Sequence, residues 1–343
     1  MLIKLKIHNS KEIYIGIQLL RFLFCLWIVI LHCAIIKNEH KIYFNKGFHV
    51  PSFILISFYF FYPNIKNRII SKIKARFQRL LYPYILWPII IFIINNLLIT
   101  IISFGIYNNK LMLKDIYLQI IIGAQYHGIF WFQFNLIFIS LFLSIISFIF
   151  KNNALRVFEY LGIISLYIHF SGINFYMFNS LHRRYQITLG GLAELTPLAI
   201  IGCILSSINF LVFLKNKLSL HHHIILYLFI LFLFRYSIFK LYFGFRYPNI
   251  LLNILASIIL FISFGTINLD KFLVVITIIK LISKFTGGIY YIHPILRVFL
   301  KKYILFFSKR TYFSSFVIYI FCYLICYIGL LLFKNNKLKY LFT

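Results

Sequence analysis

Charged side chains are scarce in this chain and acids scarcer still: of 343 residues 12% are charged, and only six are Asp or Glu. Apolar residues make up 62%, with a mean hydropathy of +0.92. A soluble domain carries about a quarter charged residues and cannot hide this much apolar surface from water, so a soluble globule is excluded. A bilayer can accept it. The five cysteines, Cys25, Cys33, Cys203, Cys322 and Cys326, lack any C-x-x-C spacing and all fall in apolar runs. They read as small core-facing or lipid-facing residues, which leaves neither a disulfide framework nor a metal site. No small-x-small cleavage site follows the basic start, and the apolar run from roughly 13 to 36 is too long for a cleaved signal, so it reads as a first membrane helix. No gap between apolar runs is long enough to fold alone, and neither a repeat nor a linker is visible. Residues 1–343 therefore read as a single membrane domain.

What is present is a series of apolar stretches. They lie at roughly 13–36, 47–63, 80–104, 129–150, 157–178, 189–214, 224–244, 249–267, 272–296 and 314–334, each long enough to span a bilayer or nearly so. The second is short, and the ninth is interrupted by Lys280, Lys284 and Gly287-Gly288. The pattern predicts an all-α, polytopic membrane bundle of about ten transmembrane helices. The formal charge of +29 comes from 35 Lys and Arg. They lie in the short gaps, where they anchor topology and meet anionic headgroups, rather than on a soluble face as in a nucleic-acid binder. Lys66, Arg68, Lys72, Lys74, Arg76 and Arg79 form a basic segment without an acid, which the positive-inside rule puts in the cytoplasm. With ten spans both termini follow it, in agreement with Lys4, Lys6 and Lys11 and with Lys334, Lys337 and Lys339. Lys301, Lys302, Lys309 and Arg310 oppose this orientation, which rests on the earlier signals. The abundance of Ile, Phe, Lys, Asn and Tyr reflects an AT-rich genome, so Arg, His, Trp and Glu carry more information.

The first helix holds Arg21 and His32. Eleven steps of about 100° return to nearly the same face, about three turns apart, so one stripe carries a guanidinium and an imidazole. Such residues at membrane depth mark a functional interior, or else a snorkelling Arg and a headgroup-facing His. Arg76 and Arg79, at i and i+3, share a helix face and suit bidentate capture of phosphate oxygens; the same pair also serves as an ordinary positive-inside flank.

These pieces, in this order, resemble the acyltransferase 3 family of integral membrane O-acyltransferases. The opening element is Arg21 followed by His32. The second is Phe48-His49-Val50-Pro51-Ser52-Phe53 running to Ser57, and the third is Arg76-x-x-Arg79 followed by Pro83. Ile129-Phe130-Trp131-Phe132 resembles the aromatic opening of a middle helix, and Gly288-Ile289-Tyr290-Tyr291-Ile292-His293-Pro294 a late signature. Ser57 is followed by Phe58 where the family more often has Gly. No extracytoplasmic hydrolase-like domain is appended, so transfer is expected to finish within the membrane portion.

The resemblance implies an acyl-CoA donor, most often acetyl-CoA, entering from the cytoplasm, with no bound cofactor and no metal. It implies His32 and Arg21 as the catalytic pair and Arg76 and Arg79 as the donor-binding pair. Ser57, Trp131, Glu194, Tyr291 and His293 are substrate or support candidates. It implies a glycan, or a lipid-linked glycan precursor, as acceptor in the inner membrane of a bacterium. Glu194 begins the sixth stretch, where it orders a histidine, binds a sugar hydroxyl, or is favourable as an acid at a helix start. Arg183 and Arg184 contact an anionic glycan or lipid headgroups. His221-His222-His223 has no carboxylate or Cys partner nearby and reads as a solvated loop. His293 precedes Pro294, where a packed histidine at a kink is the plainer reading.

A glycan flippase or polymerase is the principal rival, being equally rich in helices and poor in acids. A polymerase brings a large external loop and a flippase twelve or more spans, neither of which this chain has. A small-molecule transporter would show paired, broken helices. The orientation has a direct check. In a Cys-free background, a single cysteine placed at Lys72 is expected to resist impermeant thiol reagents in intact cells and to label once the membrane is opened. Ready labelling in intact cells would reverse the topology.

Overall fold

In hydrocarbon an unpaired backbone N–H or C=O costs several kcal/mol, so a chain this apolar must satisfy its backbone within helices or a closed barrel. This chain takes the helical solution. The computed structural model describes residues 10–33, 49–102, 110–123, 130–170, 183–215, 217–219, 221–229, 248–267, 272–303 and 312–342, and no strand occurs among them. Lys4, Lys6, Lys309, Arg310 and most of the seventh apolar stretch lie outside these residues, as do the side chains of Lys11, Arg183, Arg184, Lys301 and Lys302.

The helices are α1 Ser10–Cys33, α2 His49–Lys66, α3 Ile70–Ile102, α4 Leu113–Ile122, α5 Phe130–Phe150, α6 Ala154–Phe170 and α7 Arg183–Ser207. They continue as α8 Phe210–Lys215, α9 at 221–229, α10 Pro248–Thr266, α11 Leu273–Ser283, α12 Thr286–Tyr303 and α13 Tyr312–Leu332, with a closing 3₁₀ turn at Lys337–Leu341. Among the described residues five helical stretches are long and apolar enough to cross a bilayer, or six if the bent pair α11–α12 counts as one crossing. Other expected spans fall short of that measure or lie outside the described residues, for local reasons. α2 carries Pro63 and Asn64 and ends at Lys66. The apolar part of α10 runs only from Ile254 to Thr266. Most of the stretch at 224–244 is outside the described residues.

One of the five, Phe130–Ile168, is a hairpin rather than a rod. Gly191 of α7 packs on Trp131 and Asn135, while Ile200 of the same helix packs on Gly162. Residues 191 and 200 are about 13 Å apart along α7, whereas 131 and 162 would be about 46 Å apart in one straight helix. The chain therefore folds back at the 3₁₀ turn Lys151–Asn153, where Lys151 takes a left-handed φ of 48°. α5 and α6 run antiparallel, and both lie against α7. Along α5, Phe138, Leu141, Phe142 and Ile145 are exposed, while Ser140, Ser144 and Ser147 face inward with Leu136, Ile139 and Leu143. A lipid-facing apolar belt around a more polar interior is the arrangement a bilayer selects.

α1 is the central helix. It packs against α2, α10, α11, α12 and α13. Ile17, Leu20 and Phe24 join one core with α2, α5, α6, α7 and α10, while Cys25, Val29 and Cys33 join a second with α3, α12 and α13. Lipid tails are as apolar as Leu, so close backbone approach rather than hydrophobic exclusion holds such helices together. At the α2–α7 crossing a Cβ on Gly202 would lie 2.6 Å from the Leu55 carbonyl oxygen and 3.1 Å from the Tyr59 nitrogen.

α11 and α12 meet at a 51° bend. The sequence places the interruption at Lys280, Lys284 and Gly287-Gly288. The observed break is at Lys284-Phe285, and the two glycines fall inside the first turn of α12. Carbonyls released by such a break need partners. Tyr319 and Tyr323 of α13 supply them, donating to the Ile282 and Leu281 carbonyls at 3.3 and 3.2 Å.

The glycines separate two kinds of substitution. Gly202→Ala is expected to destabilise the purified protein by ~1–3 kcal/mol through forced separation of α2 and α7. Gly190 has nothing within 4 Å of an added Cβ. Gly190→Ala is therefore expected to be neutral or stabilising by up to about 1 kcal/mol through helix propensity. Thermal melting in detergent reads both; equal melting of the two variants would show that the crossing does not depend on backbone contact.

Candidate functional site

Arg21 donates from Nη2 to Thr286 Oγ1 at 3.2 Å, and one turn on Cys25 Sγ contacts the Thr286 carbonyl at 3.5 Å. The guanidinium thus reaches the break between α11 and α12 rather than the lipid headgroups. Arg21 keeps a large accessible surface although it sits where α1 meets α12. His32, about 16 Å further along the helix, is exposed too.

α12 runs beside α1 in the same direction, with Thr286 at Arg21 and His293 at His32. The two imidazole rings lie 5.4 Å apart, tilted by 36°. His293 is fully buried, and its Nδ1 lies 3.0 Å from the Ile289 carbonyl oxygen one turn back. A carbonyl only accepts, so Nδ1 carries the hydrogen and, in the neutral ring, Nε2 carries the lone pair. Arg297 and His49 both lie within electrostatic reach of His32. His49 opens α2, is buried, and has no hydrogen-bond partner for Nδ1 among the described residues. Aromatic rings join the two histidines to the core: Tyr290 is 6.3 Å from His293, and Phe132 is 6.1 Å from Tyr290.

At the other end are the arginines of α3. Arg79 is exposed, is close enough to both Arg21 and Arg76 to repel them, and donates from Nε to the Ala75 carbonyl at 3.4 Å. Arg76 is turned inward and held by Ser57 and Ser140. Ser57 is thus a partner of Arg76.

The remaining candidates have other partners. Tyr291 is buried, donates to Gln133 Oε1, and stacks on Trp87 and Phe130 at centroid distances of 6.3 and 5.8 Å. Gln133 in turn donates to the Leu80 carbonyl at 2.5 Å. Tyr291 therefore ties α12 to α5 and α3. Trp131 is half-buried against Gly191. Glu194 is exposed on α7, a helix that packs mainly on α2, α5 and α6. His222 accepts the Ser219 backbone N–H at 3.1 Å at the start of α9.

A family model described as an acyltransferase domain, acyltransferase 3, matches residues 14–334. The chain belongs to the acyltransferase 3 family. No curated protein and no solved structure matches it. Membership makes this acyltransferase 3 protein a membrane acyltransferase, and the matched span contains Arg21, His32, Arg79 and His293. Thr286, Arg297 and His49 were not among the residues the sequence singled out. One of them had a local signal: Arg297 follows His293 by four residues and so shares its helix face. His49 was hidden inside the second motif, and Thr286 carries no charge.

The Tyr291–Gln133 pair yields an expectation of its own. Tyr291→Phe keeps the stacked ring but leaves Gln133 Oε1 buried without its donor. It is expected to cost ~1–3 kcal/mol of stability, read by thermal melting in detergent. A wild-type melting profile would free Tyr291 for a role at the substrate.

Proposed function

We propose that this protein is an O-acyltransferase of a bacterial cytoplasmic membrane, with about ten crossings and both termini in the cytoplasm. It moves an acyl group, acetyl in the simplest case, from cytoplasmic acyl-CoA to a hydroxyl of a cell-surface glycan or its lipid-linked precursor. The observation that carries this reading is the stripe of α1. Arg21 and His32 lie on the side of α1 that meets α12, with Arg79 near one end and His293 and Arg297 at the other. Phosphates of the donor bind at the basic end, and the thioester reaches along the stripe.

His32 serves by one of two routes. As a general base it removes the proton of the acceptor hydroxyl while that oxygen attacks the thioester carbonyl and the thiolate of coenzyme A leaves. As a nucleophile its ring nitrogen takes the acyl group, releases the thiolate, and passes the acyl group to the hydroxyl, whose proton returns to the ring. In either route a guanidinium near the carbonyl oxygen stabilises the charge that develops there, which is the part assigned to Arg21.

His32→Gln can hydrogen-bond but neither takes up a proton nor carries an acyl group. It is expected to lower transfer by roughly 10²–10⁴-fold while membrane insertion and acetyl-CoA binding persist. The readout is the mass of surface glycan from cells with the gene, without it, and with the variant. Transfer at near the normal rate would move the chemical centre to His293. A wild type that alters glycan export or chain length but not glycan mass would mark a flippase or polymerase.

A further inference from the structure

The two arginines of α3 lie one turn apart, yet their surroundings differ. Arg76 is held on every side. Its Nε donates to Ser140 Oγ at 3.1 Å, Nη2 to Ser57 Oγ at 2.8 Å, and Nη1 to the Ser57 carbonyl at 3.3 Å. The guanidinium carbon lies 4.1 Å from the centroid of the Phe61 ring and 5.0 Å from that of Phe58. Ser140 is itself oriented, donating to the Leu136 carbonyl at 2.6 Å. Bidentate capture of a phosphate needs two parallel N–H groups along one edge of the guanidinium. Ser57 and Ser140 occupy these edges, and the phenyl rings lie against the guanidinium. A phosphate at Arg76 would have to break these bonds in a low-dielectric interior, where each counts for more than in water. Arg79 is exposed, and its Nη groups have no partner among the described residues.

We infer that the pair is divided in role: Arg76 is a positioning residue, clamped by Ser57, Phe58, Phe61 and Ser140, that sets the first turns of α3 so that Arg79 alone of the two meets the donor's phosphates. The inference rests on the acyl-CoA reading and deepens it. It also accounts for Phe58, which stands where the family more often has Gly. A glycine has no ring to lay against the guanidinium, whereas Phe58 is fully buried beneath Arg76 and replaces solvation with a π face. The clamp joins α2, α3 and α5 through one cation whose partners are all uncharged. If Ser57 is a clamp partner, removing its hydroxyl disturbs the donor site although Ser57 carries no charge with which to bind a phosphate.

A double-mutant cycle of Ser57→Ala and Arg76→Ala in the purified full chain tests this, with melting temperature and acetyl-CoA affinity as readouts. Each single variant is expected to lower the melting temperature and weaken acetyl-CoA by about threefold to tenfold, and the double variant to be no worse than Arg76→Ala alone, because both remove one interaction. Ser57→Thr keeps the hydroxyl and recovers most of both losses relative to Ser57→Ala. Arg79→Ala is expected to weaken acetyl-CoA by roughly tenfold or more, the scale of a hydrogen bond to a charged group, with an unchanged melting temperature. Additive effects of Ser57→Ala and Arg76→Ala on affinity, with melting unaffected, would overturn the division and make Arg76 a donor ligand. If Arg76→Ala does not fold, the comparison of Ser57→Ala with Ser57→Thr decides: wild-type affinity and melting in both overturns the clamp. A wild type that binds no acetyl-CoA sinks the donor reading and Arg79's part in it, while coupled melting of Ser57 and Arg76 still reports the clamp.

Discussion

A chain with 35 basic residues and six acids cannot neutralise its cations with carboxylates. Where a guanidinium enters a low-dielectric bundle, the cost of leaving water must be met by neutral dipoles and aromatic faces. Arg21 meets it with the Thr286 hydroxyl, and Arg76 with two serines, a backbone carbonyl and two phenyl rings. At exposed positions, Lys217 and Lys284 also lie over Phe213 and Phe285 at 4.4 and 5.3 Å from the ring centroids. The abundance of aromatic residues, 20% of the chain, therefore does more than fill lipid-facing surface.

The same constraint shapes the site. A cation satisfied by a neutral hydroxyl keeps its full charge available to an anionic ligand, which a salt bridge would cancel. Arg21 and Arg79 are near enough to repel one another. The break between α11 and α12 belongs to the same arrangement. It brings Thr286 to Arg21, and its released carbonyls are bonded by tyrosines of α13.

Glycine and hairpin geometry then decide how α2 is backed on the side away from α1. The turn at Lys151–Asn153 returns α6 along α5 and gives α7 a two-helix surface to lie on. Gly202 lets α7 approach α2 closely enough for α2 to hold Ser57, Phe58 and Phe61 against Arg76. Tyr291, Gln133 and the Leu80 carbonyl tie α12, α5 and α3 together from the opposite side.

By itself the sequence was enough to establish an all-helical membrane protein of the acyltransferase 3 family, because apolar run length and motif order are local properties that a linear reading can measure. The stripe of Arg21 and His32 was legible for the same reason, since helical periodicity fixes which residues share a face. The separate fates of Arg76 and Arg79 were not. At i and i+3 they look equivalent, and only the approach of α2 and α5 gives one of them partners while the other stays exposed. Nor was the meeting of Thr286 with Arg21 or of His293 with His32. Packing between α1 and α12 brings together positions more than 200 residues apart in the chain, and no spacing rule reaches across that distance. The tertiary structure alone decided which cations are fastened and which stay exposed, because satisfying a charge in lipid depends on what surrounds it, not on what precedes it in the chain.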